Sequence, residues 1–107
     1  MSRVNTKTIF VNVRDLSFKS EQIVIDLIRY IVEQLPQIEV IRNANELEIV
    51  MPINMSKRVI RLRIKKFLYK KALNDDFRPI SYRSYEKDIV KDGYMVKEKK
   101  ILEMTYY

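Results

Sequence analysis

Two stretches of this chain repeat apolar residues at helical spacing, and the segments around them alternate at the spacing of a β-strand. This contrast constrains the fold most. A helix that is apolar along one stripe must bury that stripe, and a sheet is the available cover. The first stripe is Val24, Leu27, Ile28, Ile31 and Leu35, within residues 20–35. Ser20 is placed to cap this helix, Glu21 sits in its first turn where the dipole favours negative charge, and Pro36 stops it. The second stripe is Ile60, Ile64, Phe67 and Leu68, within residues 56–73. Ser56 is its cap, and Asn74-Asp75-Asp76 follows its end.

Residues 6–13 alternate Ile9, Val11 and Val13 with Phe10 and Asn12, the pattern of a strand. Residues 38–51 predict a hairpin turning at Arg42-Asn43-Ala44-Asn45, its second strand carrying Leu47, Ile49 and Met51 and closing at Pro52. Residues 77–85 predict a further strand, with Pro79 at an edge or near its start. Gly93 after Asp92 marks a turn, and residues 94–106 predict the last strand. The order β-α-β-β-α-β-β predicts an α+β fold, a mostly antiparallel sheet with two helices packed on one face, as one domain over residues 1–107.

The sequence has neither cysteine nor histidine. Disulfides, thiolate nucleophiles, histidine acid–base chemistry and the usual zinc ligands are thereby removed. A single glycine rules out a glycine-rich phosphate loop. Asp75-Asp76 reads as a capped connection, and Glu46 and Glu48 as a solvated strand face. The expectation is a non-enzyme with no cofactor, metal or small-molecule substrate. No apolar run approaches the ~20 residues of a membrane span, and residues 1–7 are polar. A cytoplasmic protein without a membrane partner is expected.

Net charge is +7, from 21 basic and 14 acidic residues, and its placement is informative. Residues 56–74 hold Lys57, Arg58, Arg61, Arg63, Lys65, Lys66, Lys70 and Lys71 and no acidic residue. An ordinary exposed helix mixes signs, because opposite charges one turn apart support it. Projected on a helix, Lys57, Arg58, Arg61 and Lys65 flank one side of the apolar stripe, and Arg63, Lys66 and Lys70 the other. The helix can bury its stripe and present cations to phosphates, aided by the N–H groups of its first turn. A solvated charge face, an acidic protein partner and a DNA-binding regulator are the competing readings. Arg78 and Arg83 are further candidate phosphate contacts. Tyr82, Tyr85, Tyr94, Tyr106 and Tyr107 suit strands and core first, and stacking on bases second.

The run from Met51-Pro52 through Ser56-Lys57-Arg58 to Lys65-Lys66-Phe67-Leu68-Tyr69-Lys70-Lys71, then Asp75-Asp76-Phe77-Arg78, resembles a known family. It is similar to the eukaryotic-type large-subunit ribosomal protein twenty-two family. That family has a strand ending Val-Pro, a Ser-Lys-Arg start, a Lys-Lys-Tyr-Leu-Lys-Lys helix and a strand beginning Asp-Trp-Leu-Arg. The likeness covers residues 47–78; Phe77 stands where the family has tryptophan, and a longer connection is expected around residues 86–92. The resemblance implies a structural ribosomal protein contacting ribosomal RNA and neighbouring large-subunit proteins. On that pattern Ser56, Lys57, Arg58, Lys65, Lys66, Lys70 and Lys71 face phosphates.

Overall fold

The fold, a computed structural model, is described for residues 5–86 and 89–99. Its elements are β1 (Thr6–Asn12), α1 (Arg14–Lys19), α2 (Glu21–Gln34), β2 (Glu39–Asn43), β3 (Glu46–Pro52), α3 (Arg58–Lys70), β4 (Phe77–Glu86) and β5 (Ile89–Glu98). The strands form one sheet in the order β2-β3-β1-β5-β4. β1 and β5 run parallel, and the other neighbours are antiparallel. The α+β class and the mostly antiparallel sheet follow the expectation, with a third helix added.

Alternation decides which strand residues are covered. Ile9 and Val11 of β1 and Leu47, Ile49 and Met51 of β3 are buried. They share the core with Val24, Leu27 and Ile31 of α2 and Ile60, Ile64, Phe67 and Leu68 of α3. Ile28, expected in the first stripe, packs against this core while partly exposed. The other sheet face carries one register rank of Ile41, Glu48, Phe10, Gly93 and Tyr82 across the five strands.

The added helix α1 has six residues and one buried side chain, Leu16. So short a segment shows no repeating stripe, and an isolated helix of this length does not nucleate. Asn12 Oδ1 accepts the Arg14 N–H at 3.0 Å, which starts the turn locally. Ser20 then takes an extended conformation that separates α1 from α2. It occupies the cap position as expected, but its side chain makes no capping hydrogen bond. Ser17 Oγ donates to Glu21 Oε1 at 3.2 Å instead.

The β2–β3 turn is tighter than expected. Arg42 and Asn43 pair with Leu47 and Glu46, leaving Ala44 and Asn45 to reverse the chain. Ala44 has a positive φ of 56°. Glu46 and Glu48 are not simply solvated: Glu46 pairs with Lys91 at 3.2 Å, and Glu48 accepts from the Asn43 amide.

The basic helix is also shorter than residues 56–73. Its end is a Schellman closure: Leu73 N–H donates to Leu68 O at 2.7 Å and Ala72 N–H to Tyr69 O at 3.1 Å. Ala72 takes the left-handed φ of 60° that this closure requires, a position usually filled by glycine.

The glycine-marked turn is not where the sequence placed it. Gly93 lies inside β5, opposite Tyr82 of β4 and Phe10 of β1. A Cβ there would stand 1.7 Å from the Phe10 carbonyl oxygen. Glycine serves close backbone approach rather than a reversal. Nor is the connection long, since Glu86 of β4 pairs with Ile89 of β5. β5 therefore starts five residues before the expected strand, and residues 100–106 of that expectation lie outside the described residues.

Candidate nucleic-acid interface

α3 presents two unlike sides. Ile60, Ile64, Phe67 and Leu68 are buried against the sheet and α2. Arg58, Arg61, Leu62, Lys65, Lys66 and Tyr69 are exposed on the opposite side. Helical spacing produces this division directly, because the exposed residues fall between members of the apolar stripe.

The start of α3 is fixed from two directions. Ser56 Oγ accepts the Arg58 N–H at 3.1 Å. Val59 and Ile60 N–H groups donate to the carbonyls of Ser56 and Lys57 at 3.1 and 3.0 Å. The amides of Arg58, Val59 and Ile60 are thus engaged within the chain. Lys57 Nζ reaches Asp92 Oδ1 of β5 at 2.9 Å and lies 4.9 Å from the Tyr94 ring centre. Hydrogen bonding from Lys57 holds the Asp92 carboxyl below its ordinary value, against a smaller opposing effect of burial, with Arg83 assisting at 3.6 Å.

The remaining expected cations divide by what they touch. Arg63 is half-buried, with Nη1 donating to Gln34 Oε1 of α2 at 3.3 Å and Nε buried without a partner. Lys70 Nζ lies 5.7 Å from the Tyr30 ring centre. Lys71 pairs with Asp26 at 3.6 Å and lies 5.9 Å from the Phe67 ring centre. Asp26 is held below its ordinary value, first by a hydrogen bond from Gln22 and then by Lys71. Lys57, Arg63, Lys70 and Lys71 therefore each contact another protein group, although Lys70 and Lys71 remain exposed. Arg58, Arg61, Lys65, Lys66 and Arg78 have no acidic partner among the described residues.

Beside the exposed side of α3 an open groove of about 870 Å³ runs to the start of β4. Tyr30, Leu68, Phe77 and Pro79 line it, with Leu62 and Tyr69 contributing from the exposed side of α3. Arg61, Lys65, Lys66, Lys70, Arg78 and Lys99 add positive charge, and no carboxylate lies along it among the described residues. A second recess between α2 and α3 mixes signs, with Asp26 and Glu33 beside Arg29 and Lys71.

Sequence reasoning did not single out Tyr69 and Leu62. Tyr69 is 75% exposed and Leu62 47% exposed. Their signal was present: two large apolar groups seven residues apart, off the buried stripe and within the cationic run. Of the late tyrosines, Tyr94 is a core residue, Tyr82 is partly covered on the open sheet face and Tyr85 is exposed. Tyr106 and Tyr107 lie outside the described residues. Arg83, a further candidate cation, is tied to Asp92 and Tyr85.

Among the described residues, no cluster of three or more acidic side chains is placed to hold a metal ion, and no helix is long and apolar enough to cross a membrane. No protein-family model matches the chain, and no curated protein matches it.

Proposed function

We propose that this protein binds folded RNA through the exposed side of α3, as a non-catalytic constituent of the large ribosomal subunit in the cytoplasm. One observation carries the reading: Arg58, Arg61, Lys65, Lys66 and Arg78 are exposed and without carboxylate partners among the described residues. Cations left without internal partners release condensed counterions when they meet phosphates, and that release drives association. Arginine adds a planar fork that fits phosphate oxygens, and lysine adds compact charge. A-form helices hide their base edges in a deep groove, so backbone and shape are what such a surface reads. The likeness over residues 47–78 to the large-subunit ribosomal family supports ribosomal RNA as the target and neighbouring ribosomal proteins as further partners.

Salt dependence tests the binding. With five phosphate contacts the logarithm of affinity falls with the logarithm of salt at a slope of roughly −4. Raising salt from about 50 to 200 mM then weakens binding to a structured RNA by between two and three orders of magnitude. A flat response refutes the reading. Preference for duplex DNA over structured RNA supports the DNA-regulator alternative instead.

A further inference from the structure

Resting on the RNA-binding reading, we propose that the groove between α3 and β4 receives one unpaired nucleotide of the RNA, its base stacked against Tyr69. Cations account for attraction to a phosphate backbone but leave the apolar part of the surface without a role. Tyr69 stands three-quarters exposed on the last turn of α3, and its side chain makes no hydrogen bond or ring contact among the described residues. Leu62 lies two helical turns earlier, also exposed, and the groove beneath continues to Phe77 and Pro79 of β4. An anion alone does not match such a lining. A ligand that joins a flat apolar body to a negative charge does, and an unpaired nucleotide has that composition.

The positions of charge agree with this occupant. Lys65 and Lys66 line the groove from the helix and Arg78 from the start of β4, so cations stand on both walls. A base lying along Tyr69 would carry its phosphates toward these two walls. The groove, at about 870 Å³, lies within the size range of small-ligand sites. Fully paired RNA keeps its base faces covered, whereas a bulged or splayed base offers one. Stacking tolerates any base, because each has a π-face, so the selectivity is for an unpaired position rather than for a sequence.

The test uses the full chain and two RNA hairpins that differ by one extrahelical nucleotide, prepared with each of the four bases. Binding is followed by fluorescence anisotropy. The wild type binds the bulged hairpins about tenfold more tightly than the paired one. Tyr69→Ala loses that preference and keeps its affinity for the paired hairpin, while Tyr69→Phe retains the preference. The exposure of Tyr69 makes both variants compatible with folding, which thermal melting checks. Equal wild-type binding to all the hairpins overturns the inference and leaves the RNA-binding reading standing, as does a preference that survives Tyr69→Ala. Failure to bind any hairpin at low salt overturns both.

Discussion

Gly93→Ala is expected to destabilise the fold severely, although it adds one methyl group. The added Cβ would stand 1.7 Å from the Phe10 carbonyl oxygen and 2.6 Å from its carbon, against the 3.0 Å below which real Cβ atoms essentially never approach. β1 and β5 must part by more than about 1 Å to relieve this overlap. Their parallel seam is short, pairing Phe10 with Gly93, Val11 with Tyr94 and Asn12 with Met95, and it joins β2-β3-β1 to β5-β4. Losing two of its hydrogen bonds costs about 2 kcal/mol. Partial exposure of Tyr94 and Val96, both buried, adds about 1–2 kcal/mol. The total of roughly 3–4 kcal/mol is a large share of a typical domain's 5–15 kcal/mol. Urea unfolding followed by far-UV circular dichroism measures it, with a lower midpoint and an unchanged slope expected. The effect extends to the candidate site, because Asp92 beside Gly93 anchors Lys57. An unfolding free energy within 1 kcal/mol of wild type refutes the reasoning.

Three further outcomes are expected. Ala72→Gly raises stability by about 1 kcal/mol, since it relieves the left-handed φ of 60° at the end of α3; thermal melting measures the gain, and a loss contradicts the closure described. Lys66→Ala lowers the RNA salt slope by about one unit, whereas Lys57→Ala lowers the melting temperature and leaves the slope unchanged, because Lys57 is held by Asp92 and Tyr94. Asp92 has a lowered pKa when folded, so its ion pairs stabilise the protein above the ordinary carboxylate value of 3.8 and fade as pH falls through the lowered value. Acid unfolding curves should therefore show a smaller loss of stability below about pH 4 for Asp92→Asn than for wild type, and identical curves contradict the assignment.

Strong periodicity made most of the fold legible. The stripe of Val24, Leu27 and Ile31 and that of Ile60, Ile64 and Phe67 placed both long helices, and alternation placed β1 and β3. Features set by backbone geometry were hidden. Ala72 ends α3 through a conformation that alanine does not advertise, and α1 is too short to show a period. Gly93 misled because glycine marks both reversals and close backbone approaches, and the choice depends on Phe10, more than eighty residues earlier in sequence. The candidate site was legible as a set of cations. Which of them are free of other protein groups was not, since Asp92, Asp26, Gln34 and Tyr30 come from other elements and engage four of them. Tyr69 stood in the resembling run without a role of its own, because it is neither in the buried stripe nor charged.

The central claim is that the exposed cations of α3 hold the RNA. It is tested most directly by reversing four of them together, Arg58→Glu, Arg61→Glu, Lys65→Glu and Lys66→Glu. All four are exposed and lack acidic partners among the described residues, so the fold should persist, as circular dichroism would show. Filter binding to a structured RNA at about 100 mM salt should then show a loss of affinity of more than a hundredfold, as follows from removing four phosphate contacts. Unchanged affinity in the folded variant would contradict the account.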